Sequence, residues 1–213
     1  AVASPTPDPF VPAAPAFSAG FMTANNAGQF TGGLTDTNVG GTVGQGLAVS
    51  GTYSIASNGR GTSLITAGGL TNTAALYLIS NNSAFAVGLD TWGTGLSIFS
   101  PRAAGPFSPA SLNGHYALTL RGTLTSPGTD ITGQVLLNGL GNLAGVVDVN
   151  AAGVLSMDVP VTGSYTVSST GRGTATISST AGTWTVALYF ADSGTVYLLG
   201  TSHPSNGVLV RQY

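Results

Sequence analysis

The sequence predicts an all-β protein: two tandem antiparallel β-barrel or β-sandwich domains related by an internal repeat, the first lacking its opening strand. Three observations carry that prediction. All five basic residues are Arg and all seven acidic residues are Asp, so the chain has neither Lys nor Glu. Those two are common surface helix formers, whereas the plentiful Gly, Thr, Ser and Val favour turns and strands. Short apolar runs alternate with turn signals along most of the chain, the spacing expected of a barrel or sandwich. Finally, the chain repeats itself. Gly51-Thr52-Tyr53-Ser54-Ile55 and Gly59-Arg60-Gly61-Thr62 return as Gly163-Ser164-Tyr165-Thr166-Val167 and Gly171-Arg172-Gly173-Thr174, a shift of 163 − 51 = 112 residues. Asp36, Asn38, Ala75-Leu76-Tyr77, Gly88 and Gly95 fall on Asp148, Asn150, Ala187-Leu188-Tyr189, Gly200 and Gly207 at the same shift. A repeat of this length means two copies of one folding unit.

Taken in order, residues 1–16 hold Pro5, Pro7, Pro9, Pro12 and Pro15 among small residues and read as an extended arm. The first β domain, residues 17–100, follows. Its strands are expected around Phe21–Thr23, Gln29–Leu34, Gly51–Ile55 (led into by Leu47–Val49), Ser63–Thr66, Ala74–Ile79, Phe85–Leu89 and Gly95–Phe99, with a strong hairpin signal at Asn58-Gly59. Residues 101–110, rich in Pro and Ala, form a short semi-rigid linker. The second β domain, residues 111–213, opens on Leu112–Gly122, which reads as a strand centred on Tyr116–Leu120 and whose counterpart in the first copy would fall at or before residue 10, among prolines. Its further strands are expected at Thr132–Leu137, Gly145–Val149, Val159–Val167, Thr174–Ser178, Trp184–Phe190, Val196–Leu199 and Val208–Arg211. Every connection reads as a hairpin, which argues against a parallel sheet and leaves barrel and sandwich both open.

These motifs resemble the uncharacterised Gly/Thr-rich domains that recur in secreted and surface proteins of soil bacteria. The resemblance rests on the L-N-G-x-Y opening strand at Leu112–Tyr116, the D-x-N turn at Asp148–Asn150, G-x-Y-x-V at Gly163–Val167, the hairpin at Gly171–Thr174 and the closing Gly207-Val208-Leu209. The first copy matches from Asp36 onward. The resemblance implies an exported all-β domain and carries no activity with it.

The chemistry of the chain argues mainly by exclusion. A formal net charge of −2 with 6% charged residues gives no electrostatic footprint for nucleic acid or an anionic membrane. No apolar run approaches the ~18 residues of a membrane helix. Without cysteine there are no disulfides or thiolate metal sites. His115 and His203 are the sole imidazoles and no G-x-S-x-G turn accompanies them, so no catalytic residue, metal ligand or cofactor is expected and the protein reads as a non-enzyme. Arg60 and Arg172 recur at hairpin tips and read as structural, folded over a barrel end to bond strand-end carbonyls. The Asp-x-Asn pairs read as side-chain turns rather than calcium ligands. Most tyrosines read as core, and Trp92, in a turn-like stretch, as a surface contact.

A copy missing one strand leaves ladder edges open, a hazard unless another segment fills the gap. The expected function is therefore an extracellular or cell-surface structural protein whose subunits assemble head to tail, by strand complementation, into a filament or surface layer. The expected donor runs from Pro9 to Phe21, with Phe10, Val11, Phe17 and Phe21 as apolar anchors. Its partner is itself, without nucleic acid or membrane insertion. The alternatives are a monomeric secreted module binding a glycan or small ligand, and a fragment of a surface adhesin.

Overall fold

The computed structural model describes residues 16–90, 95–122 and 128–213. The first repeat supplies β1 (Ala16–Ala24), β2 (Gln29–Val39), β3 (Thr42–Ile55), β4 (Arg60–Ala67), β5 (Leu70–Ser80), β6 (Ser83–Gly88) and β7 (Leu96–Phe99). A 3₁₀ turn at Pro109–Ser111 leads into the second repeat. That repeat contains β8 (Asn113–Gly122), β9 (Thr129–Asn138), β10 (Asn142–Ala151), β11 (Val154–Val167), β12 (Arg172–Ser179), β13 (Gly182–Phe190), β14 (Thr195–Gly200) and β15 (Ser205–Arg211). Each strand pairs antiparallel with its sequence neighbours. In the second repeat β15 also pairs with β8, which closes an eight-stranded barrel. The first repeat is an open seven-stranded sheet in the order β1 to β7.

Period-two alternation explains the barrel. Tyr116, Leu118 and Leu120 of β8 point inward while His115 and Thr119 do not, and Gly173, Ala175 and Ile177 of β12 do the same. Their apolar side chains join those of Val135, Leu143, Val161, Leu188 and Leu198 in one continuous core. Small residues let the strands cross closely: a Cβ on Gly163 would lie 2.0 Å from the Thr176 carbonyl oxygen. Gly51 meets the Leu64 carbonyl at the same 2.0 Å, so the first sheet is built on the same wall design.

The two copies depart at one hairpin. From Asp36 onward the shift is 112, but Asn25 and Gly28 correspond to Asn138 and Gly141, a shift of 113. The extra residue of the first copy is absorbed in β2, where pairing with β3 becomes irregular between Phe30 and Leu34. Phe17, Ala19 and Phe21 of β1 therefore oppose Asn38, Asp36 and Leu34. In the barrel Asp130, Thr132 and Gln134 oppose Asn150, Asp148 and Val146. The β1 aromatics thus occupy outer-face positions.

The inner face of the first sheet is thinner than the barrel core. Val49, Leu76, Ala84 and Ala86 are buried where the barrel holds Val161, Leu188, Val196 and Leu198, and exposed Asn72 replaces buried Trp184. Phe107 of the linker is buried against Phe190, ring centroids 5.0 Å apart.

Candidate assembly site

Two places in the molecule are built for contact: the gap in the first sheet, and the junction between the repeats. The gap follows from topology. In the barrel β8 bridges β15 and β9, pairing along its whole length with β9 and from Tyr116 to Gly122 with β15. Its inward side chains Tyr116, Leu118 and Leu120 are almost fully buried. The equivalents of β9 and β15 are β1 and β7, and among the described residues no strand lies between them. At the shift of 113 that holds before Asp36, Gly114–Gly122 corresponds to residues 1–9. The sheet therefore ends in two edges, nine-residue β1 and four-residue β7.

The junction sets the outer face of β1 and β2 against the outer face of β13 and β14. Phe17, Ala19 and Phe21 pack on Ala187, Tyr189, Tyr197 and Leu199. Asp36, with no exposed surface, receives a forked pair from Arg172: Nη2 to Oδ2 at 2.7 Å, Nε to Oδ1 at 3.1 Å. The Gly46 N–H also donates to Asp36 Oδ1. Asn38 Oδ1 accepts from the Gly41 N–H at 2.9 Å, and its Nδ2 donates to the Gly200 carbonyl at 2.8 Å. The Asp36 hydrogen bond holds Arg172 charged, raising its pKa above the ordinary value. Tyr189 lies beside this pair, buried, its hydroxyl completing no hydrogen bond among the described residues. Burial first, and then the Asp36 charge, push its pKa upward. Arg102 locks the junction from the linker: its Nε donates to the Phe190 carbonyl at 3.0 Å, and its guanidinium lies over the Phe21 ring at 4.0 Å.

Against this geometry the sequence-based residues sort as follows. Phe17 and Phe21 are in β1, paired to β2 of their own chain along the strand, so they hold the repeats together and are not part of a free donor. That correction arises because the slipped register turns them outward onto the barrel. Phe10, Val11 and Trp92 lie outside the described residues. Among the described residues Arg172 bonds no strand-end carbonyl. It forms the ion pair that joins the repeats, and the carbonyl-bonding role belongs to Arg102, which binds Phe190 and Thr170. Arg60 opens β4 after its hairpin and lies beside Tyr77, Nε to Oη 3.4 Å, and among the described residues its side chain bonds no strand-end carbonyl either. Trp184 and Tyr165 are core, whereas Tyr77, Tyr189 and Tyr197 alternate to the outside. Asp36, Asn38 and Arg102 are the contact residues that sequence reasoning missed as contacts, although the Asp-x-Asn repeat had marked the first two.

The barrel interior is filled. The void among Leu118, Val135, Leu188, Leu198 and Leu209 is about 10 Å³, far below the ~300 Å³ of a small-ligand pocket.

Comparison with protein-family models found no match. Comparison with curated proteins found none either. Among solved structures the chain is similar to a de novo designed fluorescence-activating β-barrel, at 18% identity and TM-score 0.37, over 48% of this chain and 94% of that one.

Proposed function

We propose that this is an extracellular structural protein whose subunits join head to tail by strand complementation, the segment before β1 of one subunit filling the gap between β1 and β7 of the next. The observation that carries the reading is the open seven-stranded sheet beside a closed eight-stranded copy of the same unit. Unfilled, it leaves backbone donors and acceptors of two edges free to pair.

Residues 1–15 suit the gap. Their odd positions from 1 to 11 read Ala, Ala, Pro, Pro, Pro, Val, an apolar face at strand period. Pro5, Pro7 and Pro9 stand at alternate positions, so their missing N–H groups all face one side of a strand, while Thr6, Asp8 and Phe10 present N–H groups on the other. The side with donors suits the nine-residue edge of β1, and the proline side suits short β7. The segment has no Gly or Asn, the residues that serve most of the chain's hairpin turns, and Val11 and Ala14 each precede a proline, a sequence context that favours extended backbone over a turn. These features oppose a reversal back onto β1 and favour reach to a neighbour. A surface of Ser, Thr, Asn and Gly without Lys or Glu fits an exported protein, as does durability drawn from backbone pairing with no cysteine.

The experiment is competition by a synthetic peptide of residues 1–15. The peptide is expected to bind the chain lacking residues 1–15 and to shorten the filaments formed by the full chain. Failure to bind the truncated chain at millimolar peptide would overturn the reading.

A further inference from the structure

The contact that joins the two repeats has all its parts a second time, on surfaces left uncovered by the described residues. The half contributed by the first repeat is Asp36 and Asn38; its copy is Asp148 and Asn150, both exposed. The copy is held in the same shape. Asp148 Oδ1 accepts from the Asp158 N–H at 2.9 Å, as Asp36 accepts from Gly46, and both donors sit at positive φ, 53° and 59°. Asn150 Oδ1 accepts from the Gly153 N–H at 3.0 Å, as Asn38 does from Gly41. One Asp148 oxygen and the Asn150 amide nitrogen are left aimed outward without protein partners among the described residues.

The half contributed by the second repeat is Arg172, Tyr189, Leu199 and the Gly200 carbonyl; its copy is Arg60, Tyr77, Val87 and Gly88. The frameworks agree strand by strand. Arg60 opposes Tyr77 as Arg172 opposes Tyr189, and Gly88 opposes Ala74 as Gly200 opposes Val186. The difference is cover: Tyr189 is 2% exposed beneath β1, Tyr77 is 50% exposed. Among the described residues the acidic side chains paired with Arg are Asp36 and Asp130, so Arg60 has none.

We propose that Asp148 and Asn150 of one subunit dock on Arg60, Tyr77 and the Gly88 carbonyl of a second copy of this chain, repeating between subunits the contact made within one. The apolar part of the contact shifts position. The barrel carries Asp130 and Gln134 where β1 carries Phe17 and Phe21, but it exposes Val146, Leu155 and Met157 around Asp148, Met157 at 67%. Met157 replaces Gln45, which touches Arg172 in the internal junction (157 − 112 = 45). Facing it, Tyr77, Phe85, Val87 and Ile98 form an exposed apolar patch around Arg60. Apolar patches surrounding opposite charges are the composition of two complementary interface halves. Because the two surfaces differ and lie on different repeats, the contact is head to tail, and it extends indefinitely unless its rotation closes a ring.

This contact deepens the self-assembly reading but uses neither the gap nor residues 1–15, and its test separates the two. Full chains carrying Arg60→Asp or Asp148→Arg are compared with the unmodified chain by sedimentation and electron microscopy. Each single variant should weaken association about a hundredfold, since removing one partner strands the other in the contact. The double variant should restore it. So should a one-to-one mixture of the two single variants, where swapped surfaces meet. Asp148→Asn keeps the oxygen that caps the turn and removes the charge, so its loss of association cannot come from a damaged turn. Single variants that assemble like the unmodified chain, or losses that neither the double variant nor the mixture recovers, overturn the proposal. Removal of residues 1–15 with Arg60 and Asp148 intact reports on strand complementation alone.

Discussion

At the residue scale the junction depends on one buried carboxylate. Asp36 is enclosed and shared between Arg172, at 2.7 Å, and the Gly46 N–H. Asp36→Ala would leave Arg172, its side chain 21% exposed, beside an apolar contact without its counter-charge. A loss of about 3 kcal/mol in the stability of the docked repeats is expected, read from urea unfolding. Tyr189 answers a different question. Its folded pKa is raised by burial and by Asp36, so the neutral phenol is favoured in the folded chain. The stability this supplies is complete below the unfolded value of about 10 and is lost as pH climbs above it. Tyr189→Phe removes a hydroxyl that makes no hydrogen bond. It should leave stability at neutral pH within about 1 kcal/mol of the parent and flatten part of the alkaline loss. Tyr116 and Tyr165, also raised by burial, supply the rest. A thermal melt series from pH 8 to about 11 checks both statements.

At the scale of elements the two repeats should not melt together. The barrel is closed and carries one continuous core. The first sheet has open edges and Ala84 and Ala86 where the barrel has Val196 and Leu198. Calorimetry of the chain lacking residues 1–15 should show two transitions, the lower one belonging to the first repeat. A peptide of residues 1–15 should raise that lower transition alone. A single transition unmoved by peptide would count against an unfilled first sheet. Much of this architecture was legible in advance. Periodicity and the 112-residue shift located seven strands and eight, and the proline run marked the absent one. Strand lengths were less legible: β3 and β11 are single 14-residue strands whose first halves carry weak alternation. Register was not legible at all. One extra residue between Gly28 and Asp36 turns Phe17 and Phe21 from the expected donor face to the barrel-facing side, and no local signal fixes which residue bulges. Nor could Asp36 be matched to Arg172, 136 residues away, although both stood in repeated motifs.

For the whole molecule, asymmetry between two copies of one unit is the organising fact. The second repeat is complete and presents Asp148 and Asn150 outward. The first, among the described residues, is open between β1 and β7 and presents Arg60 and Tyr77 outward. A subunit of this kind has a different surface at each end, and contacts between unlike ends build filaments rather than closed pairs unless rotation returns on itself. Strand insertion would supply tight, slowly exchanging links through a full ladder of backbone hydrogen bonds. The outer-face contact would set the angle from one subunit to the next. Neither requires the Lys or Cys that covalent cross-links use, and the chain has none.

The most direct test is electron microscopy of the full chain beside the chain lacking residues 1–15. Filaments from the full chain that lose their length and persistence on truncation, leaving only the weaker outer-face contact, are the predicted result. Monodisperse monomers from the full chain at every concentration would contradict it.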